Sequence, residues 1–479
     1  MSEGPGSSNF AFTSPSDPSS DDTTAGFHYA YSCTGASLAG ATYAGSGTAT
    51  SVNCVFGDGP SSPTVRARVI DKDGGFTEYA AAVTVNNVAP TATFGAVTPI
   101  FEGSMSAISL SSAFDPSGPD TSAGFHYAFS CTNGDLSGAT YANTAGNGSS
   151  TMCFFDDGPS AHTVKARIID KDGGFSEYTA SVDVNNVAPV ATFSDNGPIN
   201  EGSSATITFS SPSDPSTADT NAGFHYTFAC DGLDGSLAAT YAAAGAPVST
   251  TCAFDDGPAS PVVKGRIFDK DNGFSGYSTT VTVNNVAPTA TFGNNGPVNE
   301  GSNINLSLTS QFDPSLADTT AGFEYRFSCN DGTTWSPWSG TNTGTCPTTD
   351  NGTVKVKGQI RDKDLGTSTY SADVTVNNVA PTATFGNTGP VNEGSSFDLS
   401  LISPFDPSLA DTTAGFEYAF DCGSGYGAFS ATSSATCPTT DNGVRSVKGK
   451  IRDKDGGVTE YTASVTVNNV APTIAISGA

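Results

Sequence analysis

Methionine and tryptophan are nearly missing from this chain, at 3 and 2 in 479 residues. Basic side chains are scarce as well: 19 Lys plus Arg stand against 47 Asp plus Glu, a net charge of −28. Such a field repels nucleic-acid phosphates and anionic lipid headgroups and attracts cations. Nucleic-acid and membrane-surface partners are therefore set aside. No apolar run approaches the roughly 20 residues of a membrane-spanning helix, so membrane insertion is not expected either. Met1-Ser2-Glu3-Gly4 has neither the basic nor the apolar stretch of a secretory signal. No Ser/His/Asp set, nucleophile elbow or phosphate loop occurs, and no enzyme is expected.

What the chain has is one unit written five times. Asn-Asn-Val-Ala-Pro recurs at 86–90, 185–189, 284–288, 377–381 and 468–472. A period of that length makes each copy one folding unit. The expected repeats are 1–88, 89–187, 188–286, 287–379 and 380–471, followed by a spare segment at 472–479. Repeats two to five open on a strand such as Thr91–Phe94 or Thr289–Phe292, and the first repeat has no counterpart. Ser2-Glu3-Gly4 matches the interior motif Asn200-Glu201-Gly202, so the chain reads as a processed form or a window from a longer protein. Thr473, Ile474, Ala475, Ile476 and Ser477 form an alternating run that could serve as a donor strand for another copy. A head-to-tail join of that kind would not close and would give a filament.

The cysteines pair by position: Cys33/Cys54, Cys131/Cys153, Cys230/Cys252, Cys329/Cys346 and Cys422/Cys437, 15 to 22 residues apart. This reads as one disulfide per repeat in an oxidising, extracellular setting. Zinc would need four ligands per site. Within a repeat, short period-2 segments such as Ala205–Phe209 and Phe224–Cys230 are bounded by Gly, Pro, Asn and Asp clusters. No stretch shows helical periodicity. About seven short strands per unit predict an immunoglobulin-like β-sandwich, and five of them a rod. Each bridge should tie the Phe-x-Tyr-x-Phe strand to a later loop or strand. It is not expected to be the usual inter-sheet bridge of antibody domains, because no core Trp accompanies it.

The run Phe155-Asp156-Asp157-Gly158, Val164 to Gly174 and Val182-Asp183-Val184 resembles a PKD-type domain. Ser213-Asp214-Pro215-Ser216 and Phe224-His225-Tyr226 resemble that family's turn and Tyr-containing strand. The resemblance implies tandem immunoglobulin-like sandwiches on prokaryotic surface or secreted proteins. It departs at Phe228-Ala229-Cys230-Asp231-Gly232, where the family carries a Trp. Asn-Val-Ala-Pro resembles cadherin-type inter-domain linkers.

The acidic residues are the main functional candidates. They are Glu102, Asp115, Asp120, Asp170 and Asp172 in repeat two, and Glu201, Asp214, Asp219, Asp269 and Asp271 in repeat three. Repeat four has Glu300, Asp313, Asp318, Asp362 and Asp364; repeat five has Glu393, Asp406, Asp411, Asp453 and Asp455. Calcium takes six to eight oxygen ligands, and loops at one end of a sandwich could supply them. The same residues also suit ordinary turns, with Asp capping the backbone. Lys165, Arg167, Lys171 and their equivalents are expected in outward salt bridges. His28, His126 and His225 share a position that holds Glu324 and Glu417 in later repeats, which argues against a catalytic role. Trp335 and Trp338 could stack on a sugar. The expected function is structural: a rod, stalk or fibre on a prokaryotic cell surface, with copies of itself or flanking domains as partners and calcium as the one cofactor considered. The alternatives are a glycan- or protein-binding adhesin ectodomain and a non-catalytic region beside a secreted hydrolase.

Overall fold

The computed structural model describes residues 1–475 and 477. It is all-β, with short helices between strands. The chain falls into two compact units. One comprises Met1–Ser194, Thr208–Thr250 and Val263–Ser278; the other comprises Asp195–Ile207, Thr251–Val262 and Thr279–Ala479.

Repeats one and two show the architecture of the first unit. Repeat one contains β1 (Ser7–Ala11), α1 (Ser20–Ala25), β2 (His28–Ser32), β3 (Ser51–Val55), β4 (Thr64–Ile70) and β5 (Phe76–Ala82). Repeat two contains β6 (Thr91–Ala96), β7 (Ile100–Phe101), β8 (Ser104–Phe114), α2 (Gly118–Ala123), β9 (His126–Ser130), β10 (Ser150–Phe155), β11 (Ser160–Ile169) and β12 (Phe175–Asn185). In repeat two the sheets run β10-β8-β6 and β7-β12-β11-β9. All pairings are antiparallel except β7 with β12. Repeat one has sheets β1-β3 and β2-β4-β5.

In the second unit, repeat four has the same order: Thr289–Asn294, Asn303–Phe312 and Thr343–Pro347 in one sheet, with Val298–Asn299, Thr367–Asn377, Gly352–Arg361 and Glu324–Ser328 in the other. Alternation explains the core. Along Asn303–Phe312, Ile304, Leu306 and Leu308 are fully buried and their neighbours face solvent. They pack with Val356, Ile360, Val374 and Val376 from the other sheet.

In repeats one, two, four and five the disulfide ties the end of the Phe-x-Tyr-x-Phe strand to a later strand. Cys131 follows β9 and bonds Cys153 in β10, so the bridge does join the two sheets. It does so between edge strands and not through the middle of the core, which is why no core Trp is needed beside it. Cys33–Cys54, Cys329–Cys346 and Cys422–Cys437 repeat the arrangement. Cys230 and Cys252 are likewise disulfide-bonded.

One correction concerns helix. Each Asp-Pro-Ser run opens a six-residue helix, as in α2, where the Ser117 side chain accepts from the Asp120 N–H. Six residues are too few to print a 3.6-residue period in sequence. Thr473, Ile474, Ala475 and Ser477 lie in no strand of the described chain, and Ile476 lies outside the described residues.

Trp335 and Trp338 both belong to repeat four, so their fluorescence reports that repeat alone. Replacing Cys329 and Cys346 by Ser should lower its stability by about 3 kcal/mol, the chain-entropy value for a loop of this length. Urea unfolding followed by Trp emission measures this, and reduction of the unaltered chain should reproduce it.

Candidate metal centres at the repeat joints

Each joint is built around a buried glutamate. Glu102 sits on the short segment after β7, where the parallel pairing with β12 aims it at the following linker. It accepts hydrogen bonds from Val187 N–H at 2.7 Å and Gly158 N–H at 2.9 Å. Glu3 does the same with Val88 and Gly59, and Glu201 with Val286 and Gly257. Glu300 accepts from Val379 N–H, while its other oxygen is buried and unpartnered. There the Asp-Gly-Pro turn of earlier repeats is replaced by Thr349-Asp350-Asn351. Glu393 accepts from Val470 N–H.

The glycine after each glutamate makes room for the next repeat. Gly103 has φ +66°. A Cβ there would stand 2.6 Å from the Pro215 carbonyl oxygen. Gly4 meets Pro116 in the same way, whereas nothing lies within 4 Å of Gly394.

The next repeat supplies the aspartates. At the first joint Asp115, Asp120 and Asp170 are buried, with carboxylate oxygens within 4.8 Å of one another. Asp170 is fixed by Asp172 N–H, Gly174 N–H and the Asn87 side-chain amide at 3.0 Å. Asp115 accepts from Ser117 N–H. One oxygen of Asp115, one of Asp120 and the amide oxygen of Asn87 are buried without a hydrogen-bond partner. The second joint leaves Asp214, Asp219 and Asn186 oxygens in the same condition, and the third those of Asp313, Asp318 and Asn285. The fourth does so with Asp406, Asp411 and Asn378.

A lysine lies in every cluster. Lys171 Nζ is 2.6 Å from Asp58 of repeat one, 3.0 Å from Asp120 and also bonded to Asp172. Lys270 reaches Asp157 and Asp219, Lys363 reaches Asp256 and Asp318, and Lys454 reaches Asp350 and Asp411. These lysines turn inward across a joint, contrary to the expected outward bridges. Burial opposes their charge, but their hydrogen bonds to carboxylates outweigh it and raise the pKa of Lys171.

The grouping differs from the one read along the sequence. Glu102 does not join Asp115, Asp120, Asp170 and Asp172. It faces Asp157 and Asp219 at the next joint, while those aspartates face Glu3 and Asp58 at the previous one. The two ends of a sandwich separate residues that one repeat contributes. Likewise Glu201 meets Asp313 and Asp318, and Glu300 faces Asp406 and Asp411. Asp269 and Asp271 belong with Asp214 and Asp219; Asp362 and Asp364 with Asp313 and Asp318; Asp453 and Asp455 with Asp406 and Asp411. Glu3, Asp58, the linker asparagines and the lysines are missing from the sequence-based set. The recurrence of Asn-Asn and Asp-Lys-Asp was their only signal.

Crowding appears in the acidities. Burial pushes Glu102 up to about 7, with Asp214 and Asp219 adding to it against two backbone donors. Burial, aided by Asp219 and Asp269, takes Asp214 to about 6. A cluster of buried carboxylate and amide oxygens with no nitrogen or sulfur ligand suits a hard divalent cation. The donor set therefore fits calcium, beside the lysine.

The other candidates are structural. His28, His126 and His225 stack on Tyr43, Tyr141 and Tyr241 at 3.7–3.9 Å between ring centroids. Glu324 pairs with Arg361 instead. Arg326 lies 4.9 Å from the Trp335 ring centre and 4.4 Å from that of Trp338, and Arg361 lies 4.3 Å from the latter. A sugar would meet guanidinium groups on these rings.

No protein-family model and no curated protein matches the chain. Among solved structures it is similar to Sidekick-1 immunoglobulin domains 1–5, at 10% identity over 98% of this chain and 96% of that one, with a TM-score of 0.26. It is similar to the human desmocollin-1 ectodomain at 15% identity over 96% of both chains, with a TM-score of 0.23. Protocadherin gamma B2 extracellular cadherin domains 1–5 give 14% identity over 87% of this chain and 88% of that one, with a TM-score of 0.26.

Two outcomes follow from this geometry. Gly103→Ala should destabilise the protein more than Gly394→Ala, since both carry left-handed strain of about 1–2 kcal/mol but only the first also meets a proline. Thermal melts compare them. In metal-free protein, Glu102 holds its proton up to about pH 7, against 4.5 for an ordinary glutamate. Its contribution is full below 4.5 and is lost as pH rises through about 7. Melting temperature in EDTA should fall across that window, and Glu102→Gln should flatten the fall.

Proposed function

We propose that this chain is an extracellular, non-catalytic spacer and adhesion protein whose joints are set by bound calcium and whose partner is a further copy of itself. The observation that carries the reading is the recurrence, at every joint, of buried, unpartnered Asp and Asn oxygens around a buried glutamate. Paired cysteines support an oxidising setting. No helix among the described residues is long and apolar enough to cross a membrane.

Calcium would be held at the first joint by Asp115, Asp120, Asp170, the Asn87 amide oxygen and Glu3, with equivalents further on. Bound there, it supplies positive charge that Lys171 alone does not. The chain's own residues do the rest. The Glu3 carboxylate ties Val88 to Gly59, and Lys171 ties Asp170's turn to Asp58. Orientation between neighbouring repeats is thereby fixed, which is what spacing or presentation of a surface requires. A prokaryotic surface is the setting suggested by the PKD-type resemblance.

Calorimetric titration of EDTA-stripped protein with calcium tests this. Saturable binding is expected, with stabilisation of about 2.7 kcal/mol at a hundredfold excess over Kd. Asp115→Asn with Asp120→Asn should remove one class of site. Absence of heat and of any melting shift at millimolar calcium would leave lysine as the joint's cation and defeat the metal reading.

A further inference from the structure

The first joint carries two sets of carboxylates that share one aspartate. Glu3, Asp58 and Asp120 bring oxygens within 4.8 Å of one another, and so do Asp115, Asp120 and Asp170. Asp120 is fully buried. Its Oδ1 lies 3.0 Å from Lys171 Nζ, and its Oδ2 has no hydrogen-bond partner.

An ammonium group has three N–H donors. Lys171 directs them at Asp58, at 2.6 Å, at Asp120 and at Asp172. None is left for the second set. There one oxygen of Asp115 and the amide oxygen of Asn87 are buried without a partner, like Asp120 Oδ2. The lysine thus serves one set and leaves the other untouched.

The arrangement recurs. Lys270 Nζ is 2.6 Å from Asp157 and 3.2 Å from Asp219. Lys363 Nζ is 2.5 Å from Asp256 and 3.1 Å from Asp318, and Lys454 Nζ is 2.6 Å from Asp350 and 3.3 Å from Asp411. Each lysine also bonds the second aspartate of its own Asp-Lys-Asp turn. Asp219, Asp318 and Asp411 are all 0% exposed and keep unpartnered oxygens. The fourth joint rebuilds the Asp-Gly-Pro turn and still supplies Asp350 to the lysine.

We propose, on the calcium reading of the joints, that each joint has two cation places bridged by its shared aspartate: the lysine ammonium is the built-in occupant of one, and a single calcium ion takes the other. The lysine's set is itself of the calcium type, since Glu3, Asp58, Asp120 and Asp172 offer only oxygen. Being tethered, the ammonium reaches those oxygens intramolecularly, ahead of a free ion. It therefore limits each joint to one calcium and balances part of the charge when calcium is withdrawn.

Equilibrium dialysis of the full chain against radioactive calcium tests this. Lys171→Met keeps a long side chain and removes its charge. It should bind one more ion per chain than the unaltered protein, with folding checked by circular dichroism in saturating calcium. Asp58, at 48% side-chain exposure, serves only the lysine's set. Asp58→Asn should leave the count of the unaltered chain unchanged and abolish the gain in Lys171→Met. Equal counts in Lys171→Met and the unaltered chain would overturn the two-place arrangement while leaving calcium at the joint. Loss of an ion on Asp58→Asn in the unaltered chain would overturn it as well, without recourse to a lysine variant. No binding to either chain would defeat it together with the calcium reading.

Discussion

Burial of a carboxylate at each joint is the constraint around which the rest of the structure is arranged. A buried charge is costly unless it is hydrogen-bonded and paired. Glu102 meets the first need by accepting two backbone N–H groups, one from its own repeat and one from the following linker. In doing so it clamps the chain where it leaves the sandwich. The glycine beside it lets the next Asp-Pro-Ser helix close against that point. Once the two repeats are that close, the aspartates on the helix and on the Asp-Lys-Asp turn are buried too, and positive charge becomes necessary. Lysine supplies part of it. The remaining unpartnered oxygens are the reason a divalent ion suits the place.

The sandwiches themselves vary more than the acidic residues of the joints. The position of His126, stacked on Tyr141, is taken by Glu324 paired with Arg361 in repeat four. That repeat rebuilds the segment between its cysteines into a stack of Trp335, Arg326, Trp338 and Arg361. Both arrangements cover the same flank with flat, polarizable groups, so either satisfies the packing. The edge-strand disulfide closes this flank in each repeat. At the joints, by contrast, Glu, Gly, Asp-Pro-Ser and Asp-Lys-Asp recur with little change, because each must match a partner on another repeat.

Much of this was legible in the order of residues. Repeats, strand character and cysteine pairing follow from local chemistry: alternation places Ile304, Leu306 and Leu308 on one face whatever the fold around them. The acidic residues were visible as well, since Asp-Pro-Ser and Asp-Lys-Asp are conspicuous. Their grouping was not. Glu102 and Asp115 are neighbours in sequence and lie at opposite ends of one sandwich, because β8 carries the chain from one end to the other between them. Only the stacking of separate repeats puts Glu102 beside Asp219, and turns Lys171 from a surface cation into a cross-joint tie. The short helices escaped for a different reason: a turn and a half is set by its Ser cap and by the tertiary space available, not by periodicity. Sequence alone determined the number, class and covalent linkage of the repeats, all properties of residues close together along the chain. The tertiary structure decided which charges share a site, because that depends on which ends of which repeats come to face each other.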